Sequence, residues 1–182
     1  MSQKTMELYI HIPFCVKKCQ YCDFLSFAAD EATQAAYVEA LLREIAYYGP
    51  HCSDYLVSTV YIGGGTPSWL TEEWMAQIMS AVRRSFRLAS DAEISIECNP
   101  GTVTDHKFAV YRNAGINRIS IGLQSAVDEE LKILGRIHTF DQFLKTYELA
   151  RKNGFDKVNV DIMSSLPGQT AESFARTLQQ LL

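Results

Sequence analysis

The sequence predicts an α/β domain in which a parallel sheet is covered by helices. Two observations carry this. Strand-like and helix-like stretches alternate five times along the chain, and the residues suited to ligand binding fall where the strand candidates end. Right-handed crossovers are the default for such a chain. A doubly wound sheet and a barrel share this periodicity, which does not choose between them.

The elements follow in order. Residues 7–12 alternate and meet Pro13, as a first strand. Tyr37, Leu41, Ile45 and Tyr48 recur at helical spacing over 33–48, and Gly49 with Pro50 is expected to stop that helix. Val57–Ile62 is a β-branched second strand running into Gly63-Gly-Gly-Thr-Pro67. Thr71 is placed to cap a helix over 72–86, with Leu70 and Met75 as a staple and Trp74, Ile78 and Val82 on one face. Glu93–Cys98 alternates as a third strand ended by Asn99-Pro-Gly101. Thr104 begins a helix that stops at Gly115, and Asn117–Ile121 is a fourth strand. Helices over 128–134 and 140–152, a fifth strand over Lys157–Ile162 and a final helix capped by Thr170, with Phe174 and Leu178 on one face, complete the chain.

Composition narrows the function classes. The 182 residues suffice for one domain with a substantial core, at 47% hydrophobic and 21% charged. Net charge is −4, from 17 basic and 21 acidic side chains, so no basic stripe is offered to nucleic acid. No apolar run reaches the ~20 residues that span a bilayer, and the N-terminal segment lacks a signal peptide's apolar core. Five cysteines, three crowded together, suit a reducing cytoplasm better than a disulfide framework.

Those three are Cys15, Cys19 and Cys22, spaced CxxxCxxC in the stretch HIPFCVKKCQYCDF. A loop leaving a strand can turn three thiolates onto one centre, an iron–sulfur cluster or a zinc ion. Closed zinc sites want four ligands, and no fourth Cys or His follows at a customary spacing. An iron–sulfur cluster is favoured; structural zinc and plain buried thiols stay as alternatives. Cys52 and Cys98 have no motif partners and read as small buried hydrophobes.

With Tyr21 before its last cysteine, this loop resembles the cluster loop of the radical S-adenosylmethionine (SAM) superfamily. The wording from Tyr9 to Cys15 is narrower and resembles the oxygen-independent coproporphyrinogen III oxidase family, which includes the heme-chaperone branch, HemW. The likeness extends to about Thr170. It implies an open, partial (β/α) barrel of six units. Five are visible, so the chain is expected to be truncated after the fifth, as a radical SAM core domain over 1–182 without the family's C-terminal part.

The resemblance also gives roles. Cys15, Cys19 and Cys22 would ligate a 4Fe-4S cluster whose open iron takes SAM. Gly64, Gly65 and Thr66 match the element that contacts the SAM amino group; three glycines at a strand end are otherwise only a turn. Glu97, on the strand face opposite Ile94 and Ile96, matches a SAM-binding Glu, with a solvated carboxylate as the plain alternative. Gln124 matches a ligand-contacting Gln. Arg136, in the stretch LGRIH, could hold a methionine carboxylate or a porphyrin propionate, or form a surface ion pair. Asp161 would bind ribose hydroxyls or an ammonium, or cap a helix. Tyr21 would lie against adenine and Tyr9 near the bound SAM, both with packing as the alternative. His138 could give a proton or be structural, and His11 reads as structural. No residue is assigned as catalytic.

Two positions depart from the family pattern. Phe24 stands where the oxidases proper carry a further Cys, which favours the heme-chaperone branch. Ser164 and Ser165 stand where the family has an aromatic residue and Gly, ahead of a matching LPGQT. The implied function is binding of heme and its delivery to an acceptor protein. The alternative is decarboxylation of coproporphyrinogen propionates through a 5′-deoxyadenosyl radical, with an electron donor such as flavodoxin or ferredoxin.

Overall fold

Five parallel strands lie side by side in the order in which the chain makes them: β1 (Lys4–Ile12), β2 (Tyr55–Gly64), β3 (Leu88–Cys98), β4 (Arg118–Gln124) and β5 (Lys157–Ile162). This computed structural model describes residues 3–182. Met1 and Ser2, which begin the segment read for a signal peptide, lie outside the described residues. A doubly wound sheet reverses its strand order at a switch point, with helices on both faces. Sequential order instead puts right-handed crossovers on one side. The α/β fold is therefore of the barrel kind, and the ambiguity left by periodicity is resolved.

The crossovers carry α1 (Glu31–His51), α2 (Glu72–Ser85), α3 (Asp105–Asn113), α4 (Asp128–Ile133), α5 (Phe140–Lys152) and α6 (Ala171–Leu181). Asp30, Thr71, Thr104, Thr139 and Thr170 each accept a backbone N–H three residues on. Each such cap is worth about 1 kcal/mol. Strand side chains alternate between two faces. Ile10, Ile12, Val60, Ile62, Ile94, Ile96, Ile119 and Ile121 are buried in one core with Val38, Met75, Ile78 and Phe108 of the helices. The intervening residues, Tyr9, His11, Tyr61, Glu97, Ser120 and Asp161, take the opposite, polar face. At its N-terminal end Glu93 pairs with Arg118 at 3.7 Å and Lys157 at 3.2 Å. Among the described residues no helix is long and apolar enough to cross a membrane.

The first helix differs from expectation at both ends. It begins at Glu31 and continues through Gly49 and Pro50 to His51. Its buried residues are Gln34, Val38, Ile45 and Gly49, while Tyr48 is exposed. Proline can stand in a last turn, and Gly49 serves close packing rather than a left-handed cap. A Cβ there would lie 2.6 Å from the Ser85 carbonyl oxygen at the end of α2. Gly49→Ala should therefore lower stability by about 1–3 kcal/mol, the range for overpacking. Urea unfolding checks this, and an unchanged midpoint would contradict it.

Candidate functional site

The loop bearing the three cysteines is tied down along its length. Cys15 N–H donates to Phe27 O (3.0 Å) and Phe27 N–H to Pro13 O (2.9 Å), closing the loop at its base. His11 Nε2–H donates to Leu25 O (2.9 Å), and Gln20 N–H reaches Leu134 O (3.2 Å) after α4. From the end of β2, Gly65 N–H donates to Ile12 O (2.8 Å) and Thr66 N–H to Phe14 O (2.7 Å). All three thiols are free and half-buried, and each has a polar neighbour. Thr66 Oγ1 donates to Cys15 Sγ (3.4 Å), Arg136 Nη1 to Cys19 Sγ (3.6 Å), and Ser26 Oγ lies 3.8 Å from Cys22 Sγ.

This donor set suits anionic sulfur, since hydrogen bonds to thiolates stabilise them and tune a cluster. Among the described residues no three His, Cys, Asp or Glu side chains converge as the donor set of a single metal ion. A cubane asks less of convergence, because each thiolate binds a different iron. Three thiols on one loop, two of them accepting hydrogen bonds, fit the thiolate ligands of a cluster. Cys98 is fully buried and its thiol is pushed up to about 12, chiefly by burial, so it stays a packed thiol.

The thiols border a cavity of about 520 Å³ at the C-terminal ends of the strands, within the range of small-molecule sites. Tyr21, Gly64, Gly65, Thr66, Glu97, Gln124, Arg136 and Asp161 line it together. Tyr9 does not; it stands beside the cavity, on the inner face of edge strand β1 and largely exposed.

On one wall, Glu97 accepts from Tyr61 OH (2.7 Å) and from Gly64 N–H (3.1 Å). Burial, then the Glu97 carboxylate, holds the Tyr61 hydroxyl well above the ordinary phenol range, so it remains a donor. Gly64 has φ +121°, and a Cβ there would lie 2.6 Å from the His11 ring. Both conformation and space call for glycine.

Across the cavity, Asp161 accepts from Ser120 Oγ (2.9 Å) and Asn159 Nδ2 (2.7 Å), so it is an inward-facing carboxylate rather than a helix cap. Gln124 takes φ +74° at a register shift between β4 and β5, which aims it inward. The loops that follow are joined by Glu130, which sequence reasoning passed over. Its carboxylate accepts from Ser125 Oγ (2.6 Å), Ser173 Oγ (2.6 Å) and Gln169 Nε2 (3.0 Å). Burial alone would raise its pKa, and these three bonds outweigh it and hold the group low.

Arg136 closes the cavity from the side. It donates to Asn99 Oδ1 (2.8 Å), Gly122 O (2.7 Å) and, at 3.5 Å, Tyr21 OH, and its Nε–H is buried without a protein partner. It is thus no surface ion pair. Asn99 in turn donates to Thr66 Oγ1 (3.0 Å), linking the glycine turn to the arginine. Beneath lies Lys107, buried and donating to Ser68 O (2.8 Å). Asn99 stands two residues after Glu97 and was given no role of its own, and nothing in the sequence marked Lys107. His138 is buried, with Nε2–H donating to Leu123 O (3.2 Å). Burial, then the Arg136 charge, lowers its pKa to about 4. It is neutral near pH 7, which favours the structural reading.

Residues 9–181 match the model of the radical SAM superfamily, and the chain belongs to it. It is 44% identical over 178 residues to the heme chaperone HemW of Escherichia coli, covering 97% of this chain and 47% of that protein. It is 37% identical to the bovine mitochondrial radical S-adenosyl methionine domain-containing protein 1, covering all of this chain and 41% of that protein. The coproporphyrinogen III oxidase (HemN) of E. coli, a radical SAM enzyme, superposes with a TM-score of 0.91 at 34% identity, over 98% of this chain and 42% of that one. The chain spans about half the length of the curated relatives it matches.

Two outcomes follow for stability. Ser165 stands where the family has Gly and takes φ +61°; Ser165→Gly should stabilise the chain by about 1 kcal/mol in thermal unfolding. For His138, an unfolded histidine gains its proton as pH falls below about 6.5, whereas the folded one resists until about 4. The unfolded state then binds more protons, so stability is lost as pH falls from about 6.5 to about 4. Urea unfolding across that window should show the loss, and His138→Gln should flatten it.

Proposed function

We propose that this chain is the radical SAM core of a HemW-like heme chaperone, which binds heme and passes it to an acceptor protein in a reducing compartment such as the cytoplasm. The observation that carries the reading is that three half-buried thiols, two of them accepting hydrogen bonds, and a ligand-sized cavity share one rim, with Phe24 bordering it. Support comes from relatives named as heme chaperones at 34–44% identity. Because those relatives are about twice as long, acceptor recognition and part of heme binding are assigned to the whole protein.

In this reading Cys15, Cys19 and Cys22 would hold a 4Fe-4S cluster, with Thr66 Oγ1 donating to Cys15 Sγ and Arg136 Nη1 to Cys19 Sγ. Glu97 and the Gly64–Thr66 turn receive the SAM ammonium. Arg136 takes its carboxylate, and Asp161 and Gln124 take its ribose. Tyr21 supports the adenine. A bound cluster would supply one-electron reducing chemistry, with the electron coming from an external donor. The chain's own groups orient the ligand, satisfy its charges and narrow the entry of water.

The second reading, oxidation of coproporphyrinogen, has the HemN superposition in its favour. Anaerobically reconstituted protein should give a four-iron electron paramagnetic resonance signal that shifts on adding SAM, and Cys19→Ala should abolish it with circular dichroism unchanged. Hemin should bind the parent, and coproporphyrinogen III should be returned without vinyl products. A full cluster in Cys19→Ala would sink the ligand assignment. Vinyl products would move the chain to the oxidase reading.

A further inference from the structure

Three side chains, Thr66, Asn99 and Arg136, join Cys15 to Cys19 in an unbroken chain of hydrogen bonds, and Asn99 is the middle member. Thr66 Oγ1 donates to Cys15 Sγ at 3.4 Å and accepts from Asn99 Nδ2 at 3.0 Å. Asn99 Oδ1 accepts from Arg136 Nη2 at 2.8 Å, and Arg136 Nη1 reaches Cys19 Sγ at 3.6 Å.

Chemistry sets the direction of each bond. A guanidinium can only donate, so the Asn99 atom facing Arg136 is its oxygen. Arg136 is held in place, because the same Nη2 also donates to Gly122 O at 2.7 Å. The Asn99 amide nitrogen therefore faces Thr66 Oγ1 and donates to it. A hydroxyl that accepts from this amide cannot donate back, so the Thr66 proton is left for Cys15 Sγ.

The Asn99 backbone is fixed independently of its side chain. Its N–H donates to Ser68 Oγ (3.1 Å), and its carbonyl accepts from Thr102 Oγ1 (2.7 Å). Lys107 Nζ clamps the same turn, donating to Ser68 O (2.8 Å) and Thr102 O (3.3 Å). The Asn99 side chain can thus be replaced without moving the turn.

We propose that Asn99 is a positioning residue for the cluster site: its amide fixes the direction of the Thr66 hydroxyl, keeps that hydroxyl donating to Cys15, and so raises the reduction potential of a cluster bound there. The proposal rests on the cluster reading of the three thiols. Hydrogen bonds to the thiolate sulfurs favour the reduced cluster, which carries more negative charge. Asn99→Asp keeps the shape and puts an acceptor on both sides. Arg136 keeps its partner, while the Thr66 O–H turns to the carboxylate and away from Cys15.

The test is a redox titration of the cluster-reconstituted chain without SAM, read by electron paramagnetic resonance, with Asn99→Asp made in two backgrounds. With Thr66 present, the midpoint should fall by on the order of 59 mV, a tenfold shift in a one-electron couple. In Thr66→Val there is no hydroxyl to turn, so only the added charge acts. The fall caused by Asn99→Asp should then be smaller, by about the fall that Thr66→Val causes alone. Circular dichroism and iron content should match the parent throughout. Equal falls in both backgrounds, or loss of the cluster from Asn99→Asp alone, would overturn the role of Asn99 and leave the cluster reading standing. A parent chain that takes up no cluster would overturn both.

Discussion

The site depends on one crossing of backbones. The turn after β2 lies against the start of the cysteine loop, with Gly65 N–H on Ile12 O and Thr66 N–H on Phe14 O. A Cβ at Gly65 would lie 2.8 Å from Phe14 O and 3.1 Å from Cys15 Sγ, so the approach is possible only without a side chain. Once made, it puts the Thr66 hydroxyl on Cys15 and the Gly64 N–H on Glu97. The thiol loop, the glycine turn and the β3 carboxylate thus become one rigid unit. Asn99 and Arg136 extend it to Cys19 and to β4.

Much of this was legible, for physical reasons that differ by element. Five strands and six helices announce themselves because their outer faces repeat at the period of the element, as Ile94, Ile96 and Cys98 or Ile78 and Val82 do. Strand order was not legible, since both sheet types are built from the same alternation of strand and helix. Gly49 misled because glycine has two uses, and only the neighbouring Ser85 decides between them. Motif residues came from spacing and resemblance, and the sheet brings all of them except Tyr9 to one cavity. Asn99, Lys107 and Glu130 escaped because their partners, Arg136, Ser68 and Ser173, lie 37, 39 and 43 residues away.

The inner sheet face explains why an incomplete barrel can hold this site. A closed barrel fills its interior with side chains. Here Glu93 pairs with both Arg118 and Lys157 at one end, and Asp161 and Glu97 are hydrogen-bonded at the other. Polar groups facing an open lumen keep water until a ligand replaces it, so they escape the penalty of dry burial. The same groups would be unfavourable in a sealed core.

Tyr9 and Glu97 show how that face divides its labour. The register pairs Tyr9 with Tyr61 and His11 with Gly63, so the two phenols lie abreast, one step below the rim. Tyr61 spends its hydroxyl on Glu97, fixing the carboxylate that lines the cavity. Tyr9, one strand further out, has no carboxylate within its hydrogen bonds and turns to His11 instead. One aromatic pair therefore braces two different chemistries. The inner member serves the cavity, and the outer member faces the open edge of the sheet.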